Sequence, residues 1–170
     1  NISSGNVTIT NNGGGTVYFF GLISDGTNGG SVSLSQDDHG TAAIYALSSF
    51  AANTYSGATT LKSGYLILST SNAIQNSTLI MSGGTLQLSS SVTGNAFNFG
   101  GLSASTAGTG YDIALQNNAL TPAAIALSVG SNNADTTYAG VLSGGGSLAK
   151  TGTGTLTLSG ANSYSGATNV

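Results

Sequence analysis

The sequence lacks cysteine, tryptophan, arginine and glutamate, and it has one proline and two lysines in 170 residues. Without cysteine, no disulfide can form. Two lysines in a chain of net charge −3 cannot neutralise the phosphates of a nucleic acid, so a nucleic-acid partner is excluded. Charged residues make up only 4 % of the chain, which is untypical of soluble helical proteins and coiled coils, since these are rich in Glu, Lys and Arg.

Long apolar runs are also missing. The longest one, Ala42–Leu47, is far shorter than the roughly 18–20 residues that a helix needs to span a bilayer, so we expect no transmembrane segment. Asn1 is not an initiator methionine, and we therefore expect the translated start, with any leader, to lie outside this sequence.

Small residues dominate instead: Gly, Ser, Thr and Asn account for more than half of the chain. Such a composition also occurs in disordered chains, but disorder combines low hydrophobicity with high net charge. Here 39 % of the residues are apolar and the net charge is only −3, so the chain is predicted to bury a core and to be ordered.

Apolar residues alternate with polar ones in many short segments, as in Thr85–Leu88 and Thr155–Leu158. A period of two is typical of β-strands, whose successive side chains point to opposite faces. Further strands are predicted at Val7–Thr10, Thr16–Phe20, Ser31–Ser35, Ala43–Leu47, Tyr65–Leu68, Thr78–Met81, Phe97–Phe99, Ala124–Val129, Thr137–Leu142 and Ser147–Lys150. The leucines predicted to face inward are Leu66, Leu68, Leu79, Leu86, Leu88, Leu148, Leu156 and Leu158. Many short strands, separated by Gly, Asn and Ser corners, indicate an all-β fold.

The sequence repeats itself internally. Asn53–Leu61 recurs as Asn162–Val170, and Gly21–Gly26 recurs as Gly140–Gly145. The spacing between the two segments is longer in the first copy, which predicts a ten-residue insertion there, at corners around Gln36–His39 and Ser48–Ala52. A coil of stacked turns tolerates such a length change better than a sandwich does, which favours a solenoid.

One long segment carries a family resemblance. Gly144–Thr168 resembles the autotransporter-associated β-strand repeat, a passenger-associated repeat of bacterial surface proteins, and Asn76–Leu88 and Ser128–Asn133 are similar to its flanking strands. The resemblance implies a right-handed parallel β-helix, secretion to the cell surface and a stalk or passenger role. It brings no catalytic residues with it.

The predicted fold is therefore an all-β, right-handed parallel β-helix (β-solenoid) of roughly seven to nine turns. Residues 1–170 are expected to form one segment, with repeat copies at about 21–68 and about 140–170 and linking turns at 69–139. We expect a non-enzymatic structural module at the bacterial outer surface or outside the cell, acting as a fibre subunit or a stalk. An adhesin passenger that binds host or glycan surfaces is the first alternative.

A polysaccharide hydrolase or lyase is the second alternative, and Asp37-Asp38-His39 is its candidate cluster. Adjacent residues of a strand point to opposite faces, so both carboxylates can reach one substrate only at a bend. A single calcium site formed by the same two aspartates is a further alternative. His39 has no His or Cys partner, which excludes zinc. We expect no catalytic residue, no cofactor and no metal site, and interpret the cluster as a solvated corner.

Two further patterns have simple structural interpretations. Thr151, Thr153, Thr155 and Thr157 alternate along one face, as in ice-binding solenoids, but Thr is also a common outward residue of strands. The tyrosines of the two repeat copies, Tyr55 and Tyr164, are predicted to pack at corners.

The two ends of the sequence carry few charges, and no charged residue follows Lys150. Ser4–Ile9 also resembles Ser63–Leu68, which in the first copy follows the segment equivalent to the C-terminus. Uncapped strand edges can pair with another chain. We therefore expect either that the chain binds itself head to tail or that it is a segment of a longer passenger. The residues predicted to take part are Ile2, Val7, Ile9, Tyr164 and Val170.

Overall fold

The computed structural model describes residues 7–11, 15–25, 32–36, 43–47 and 52–170. These residues are almost entirely β-strands and turns, with one short 3-10 helix at Thr93–Asn95. In chain order the strands are β1 (Val7–Asn11), β2 (Gly15–Phe19), β3 (Val32–Gln36), β4 (Ala43–Leu47), β5 (Thr59–Leu61), β6 (Tyr65–Leu68), β7 (Ile74–Met81), β8 (Thr85–Leu88), β9 (Ala96–Ala104), β10 (Ile113–Ala114), β11 (Ala126–Val129), β12 (Thr136–Tyr138), β13 (Leu142–Ser143), β14 (Ser147–Lys150), β15 (Leu156–Leu158) and β16 (Thr168–Asn169).

These strands form three sheets in which every pair of neighbouring strands is parallel. The long sheet has the order β1-β3-β5-β7-β9-β11-β14-β16, and β12 and β15 join it beside this path. A second sheet has the order β2-β4-β6-β8, and β10 pairs with β13. Because the chain alternates between the sheets and always returns parallel to itself, it is a β-solenoid.

Successive turns of the coil lie directly on one another, as the pairs Thr59 with Leu79 and Leu148 with Thr168 show. Over residues 52–170, which the structure describes without a gap, the chain returns to the long sheet five times between β5 and β16, and this part of the coil has about five turns. The predicted number of seven to nine is too high. One reason is that the turn from Phe97 to Leu127 is half as long again as the turn from Thr59 to Leu79. The right-handedness of the coil stays a prediction.

The long turn contains a hairpin that the sequence did not suggest. An isolated antiparallel bridge joins Gln116 to Ala124, and the tip of the loop carries the fully exposed Leu120. The Asn117 side chain closes the loop, since its Oδ1 accepts hydrogen bonds from the backbone N–H groups of Ala119 and Ala123. The extra residues thus leave the coil and return without breaking the sheet.

The core is one continuous apolar cluster along the coil. Apolar side chains stack in register from turn to turn, as with Leu79 on Leu102 and Leu127 on Leu148. Of the leucines predicted to face inward, Leu66, Leu68, Leu79, Leu88 and Leu148 are buried, and Leu86, Leu156 and Leu158 are half-buried.

Candidate functional site

The described aspartates are corner residues. The Asp25 carboxylate accepts hydrogen bonds from the backbone N–H and the hydroxyl of Ser56 at 2.9 and 2.6 Å. Asp112 accepts from Val141 N–H at 2.8 Å, and Asp135 from Thr155 N–H at 2.7 Å. Each carboxylate therefore ties its own corner to the next turn of the coil.

The cluster at positions 37 to 39, which the sequence analysis interprets as a solvated corner and names as the candidate for a hydrolase, lies outside the described residues. Within the described ranges, no group of three His, Cys, Asp or Glu side chains comes together as a metal site would require.

Asn53 connects three successive turns at a buried corner. Its Oδ1 accepts a hydrogen bond from Ile23 N–H at 2.9 Å, and its Nδ2 donates to the carbonyl oxygen of Ala73 at 3.0 Å. Asn53 is only 2 % exposed. We call this side chain a staple, because its amide oxygen and its amide nitrogen are bonded to two different turns. Removal of the side chain would leave two backbone groups unpaired.

Tyr55 lies beside this staple and begins a chain of buried hydroxyl groups. Its hydroxyl is 2.7 Å from Thr59 Oγ1, which is 2.8 Å from Ser77 Oγ, and Ser77 donates to the carbonyl oxygen of Gly57. Burial raises the pKa of Tyr55 to about 12, although its hydrogen bond to Thr59 lowers it somewhat. Tyr55 is thus a packed corner residue, as predicted.

The second repeat copy forms the same corner without the turn above it. Asn162 Oδ1 accepts from Leu142 N–H at 2.8 Å, as Asn53 does from Ile23, but Asn162 Nδ2 turns back to Gly160 O in its own turn. The Tyr164 hydroxyl is 2.6 Å from Thr168 Oγ1, yet Tyr164 is half-buried where Tyr55 is fully buried.

The last turn also has an open apolar face. A cavity of about 270 Å³ lies there, lined by Leu148, Lys150, Gly154, Thr155, Leu156, Leu158, Thr168 and Val170. Among the described strands, β16 pairs only with β14, and the Val170 side chain is fully exposed. We call this surface, formed by the lining residues just given, the open face.

The residues predicted to self-associate are spread over both ends of the coil. Tyr164 and Val170 lie in the last turn. Val7 and Ile9 lie in β1, the strand at the other end of the long sheet, and Ile2 lies outside the described residues. The similarity of Val7–Ile9 to β6 does not extend to the fold, because β6 belongs to the second sheet.

The threonine series of the last turn faces outward, since Thr151, Thr153, Thr155 and Thr157 are all exposed. It makes corner bonds of its own: Asn133 Oδ1 lies 2.9 Å from Thr153 N and 3.3 Å from Thr153 Oγ1. Ice binding by this series remains an untested interpretation.

A further corner contact was not suggested by any motif. Ser131 donates to the carbonyl oxygen of Gln75, and Asn132 Nδ2 donates to Thr78 Oγ1 at 2.8 Å. These contacts join the turn of β11 to the turn of β7, and the turn of β9 lies between them. We call Ser131 and Asn132 the clasp.

Throughout the parts of the chain that the structure describes, no helix is long and apolar enough to cross a membrane. No curated protein and no solved structure matches the chain.

The model of the Passenger-associated-transport-repeat family matches three segments, residues 47–68, 63–88 and 148–170. The last of these segments holds β14, β15 and β16, and thus about one turn of the coil. The three segments together cover less than half of the chain. The chain is therefore a β-solenoid with three segments that match the passenger-associated-transport-repeat, the repeat that its sequence resembles.

Proposed function

We propose that this chain is a non-enzymatic structural rod of a passenger-type protein on the bacterial surface or outside the cell. The observation that carries the proposal is the long sheet, which continues through every described level of the coil with one parallel strand per turn. The described aspartates support it as well, because corner bonds occupy their carboxylates. The repeat matches support the location, since their family is named for passenger transport.

The rod extends by head-to-tail stacking, and the occupant of the open face is the first turn of a second copy. The strand β1 begins the long sheet and β16 ends it, so one copy can continue the sheet of another in the same direction. Such a contact joins two different surfaces and does not close into a ring, which produces a filament.

The internal repeat indicates what a covering turn contributes. In the first copy, the turn above the corner supplies the Ala73 carbonyl to Asn53 and the Ser77 hydroxyl to Thr59. In the second copy, Asn162 Nδ2 bonds within its own turn. A stacked copy would place a backbone carbonyl and a hydroxyl group over this corner and exclude water from the open face.

A substitution at the open face tests the stacking. Val170→Lys places an ammonium group on the face that a second copy would bury, and burying an unpaired charge is strongly unfavourable. Because Val170 is fully exposed, the fold of the single chain should not change. The matched control is Thr157→Lys, which adds the same charge at an exposed position on the outer face of the same turn.

Sedimentation velocity over a range of concentrations gives the result. We expect the unchanged chain and Thr157→Lys to form long assemblies, and Val170→Lys to stay monomeric. Assembly of Val170→Lys equal to that of the unchanged chain would contradict stacking through the open face. A monomeric unchanged chain at every concentration would contradict the filament itself.

A further inference from the structure

We propose that a groove on the outer surface of the coil binds an uncharged saccharide. The groove is lined by Gln75, Asn76, Asn98, Phe99, Ser128, Ser131 and Thr151, and its volume is about 270 Å³. These residues come from four successive turns, those of β7, β9, β11 and β14, so the groove runs along the coil. It is distinct from the open face, and a ligand there would give the rod a binding function in addition to its structural one.

Three amide side chains in the groove are held in fixed orientations. Gln75 Nε2 donates to the Asn53 carbonyl at 3.2 Å, Asn76 Nδ2 to the Thr54 carbonyl at 3.4 Å, and Asn98 Nδ2 to Asn72 Oδ1 at 2.6 Å. The amide nitrogens are thus bonded to the protein. The amide oxygens of Gln75, Asn76 and Asn98 accept no hydrogen bond from the described residues.

Hydroxyl groups complete this set of acceptors. Ser128 pairs with Asn98 in the long sheet, and both side chains are half-buried on its outer side. The hydroxyls of Ser128 and Thr151 make no hydrogen bond to the described part of the chain, so they can both donate and accept. The groove therefore offers three fixed amide oxygens and two free hydroxyl groups to a ligand.

The clasp keeps the groove in shape. Ser131 donates to the backbone carbonyl of Gln75, and Asn132 bonds to Thr78, so the corner of the β11 turn is tied to β7. Gly100 lies beneath this contact, where a Cβ atom would come within 3.0 Å of the backbone of Asn76. Since neither the amides nor the clasp needs to move, little order is lost when a ligand binds.

The chemistry of the groove identifies the class of ligand. Hydroxyl groups of a sugar are the donors that amide oxygens accept, and they can also accept from serine and threonine. None of the lining residues is charged, which gives neither an anionic nor a cationic ligand an ion pair. The volume is slightly below the range of about 300–1,000 Å³ that is usual for pockets of drug-sized ligands, which suits one or two sugar rings.

The expected affinity is weak. Phe99 is 1 % exposed, so it forms the floor of the groove and offers no aromatic face for stacking. Hydrogen bonds exchanged with water contribute little net free energy, and we expect a Kd on the order of 1 mM.

Amide-resolved NMR of the full chain carrying Val170→Lys, which is expected to stay monomeric and changes no groove residue, tests the proposal. The probes are maltose, cellobiose, lactose and N,N′-diacetylchitobiose, each added in steps to the ¹⁵N-labelled protein. We expect at least one of them to shift the side-chain NH₂ signals of Gln75, Asn76 and Asn98 in a saturable way. The signal of Asn118, whose amide lies outside the groove, should stay in place.

A pair of serine variants shows whether the sugar binds in the groove. In the same Val170→Lys background, Ser128→Val replaces a groove hydroxyl by a methyl group and adds a second methyl group, and we expect it to weaken binding at least about tenfold. Ser103→Val makes the same change at a half-buried position of β9 outside the groove, and binding should be unchanged.

Three results would overturn the proposal: no saturable shift with any of the four sugars, shifts confined to residues outside the groove, or equal binding by the Val170→Lys chain with and without Ser128→Val. None of these results would affect the filament, because the sedimentation experiment uses the open face and no sugar.

Discussion

At the scale of single residues, the polar side chains of this protein mainly hold the corners of the coil. Charges are scarce, and the described aspartates accept backbone N–H groups instead of forming a reactive cluster. The side chains of Asn53 and Tyr55 are buried, and their polar groups form hydrogen bonds with neighbouring residues of the corner. Since a buried polar group is costly only when it lacks a partner, a chain rich in Asn, Ser and Thr can still have a dry interior.

The buried tyrosines should make the fold sensitive to alkaline pH. Tyr55 has its pKa raised to about 12 by burial, and burial also raises that of Tyr138, with a smaller contribution from the nearby Asp112 carboxylate. A group whose pKa is raised on folding stabilises the fold fully below its unfolded pKa, near 10, and this contribution is lost as pH rises toward the folded pKa. Titration of Tyr55 alone should lower the free energy of unfolding by about 2 kcal/mol between pH 10 and pH 12.

Denaturant unfolding at pH 7 and at pH 10 to 12 measures this effect. Tyr55→Phe should cost about 1 kcal/mol at pH 7, because it loses the hydrogen bond to Thr59, and it should lose less stability than the unchanged chain above pH 10. Tyr18→Phe, at an exposed position, is the control and should follow the unchanged chain. Identical pH profiles for Tyr55→Phe and the unchanged chain would refute the assignment to Tyr55.

Two adjacent glycines test how closely the turns approach each other. A Cβ atom on Gly146 would come within 3.0 Å of the carbonyl oxygens of Ile125 and Leu115, whereas one on Gly145 would meet only Ala124 at an ordinary 3.6 Å. We expect Gly146→Ala to lower the free energy of unfolding by about 1–3 kcal/mol. Gly145→Ala should change it by no more than about 0.5 kcal/mol, and equal effects would contradict the packing at this corner.

At the scale of elements, the unit of the fold is one turn with its corner staple. Asn53 is bonded to the turns below and above it, but Asn162 only to the turn below. In the monomeric chain, Asn53→Ala should therefore cost about 3 kcal/mol, since two buried backbone groups lose their partner, and Asn162→Ala about 1 kcal/mol. Thermal unfolding of both variants gives the comparison, and a larger loss for Asn162→Ala would show that the second copy is not the open version of the first.

Strands with an alternating pattern could be predicted from the sequence, and the corners between them only in part. The segments predicted at Tyr65–Leu68 and Ser147–Lys150 have the same bounds in the structure. The strand predicted over Thr137–Leu142 is instead divided into β12 and β13, and Gly140 lies at the break, where a Cβ atom would clash with Tyr111 and Tyr138. The alternation of apolar and polar residues predicts which face of a strand is buried, but it does not predict how closely the next turn approaches the strand.

The hairpin and the clasp could not be predicted for a related reason. Asn117 closes its loop through contacts with residues two and six positions ahead, and nothing in the apolar pattern marks such a loop. Ser131 and Asn132 bond to residues two turns away, and short polar residues at corners look alike in the sequence. The groove was missed because its lining residues come from four turns that are far apart in the sequence.

At the scale of the whole molecule, the described residues form a coil whose long sheet runs from β1 to β16. Each strand inside the long sheet forms hydrogen bonds with the strand of the turn before it and the strand of the turn after it. A strand at the edge of a sheet lacks one of these partners and can pair with a strand of another chain. Scarcity of charge favours the proposed stacking. The side chains that line the open face are apolar apart from Thr155, Thr168 and Lys150, and the Lys150 Nζ donates to the carbonyl oxygens of Thr151 and Gly152.

Electron microscopy with diffraction on the purified, unchanged chain tests the central claim most directly. The account predicts unbranched filaments whose strands lie across the filament axis, with a meridional repeat of about 4.8 Å that reflects the strand spacing. Particles that remain single short rods at high protein concentration, or filaments without that repeat along their axis, would contradict it.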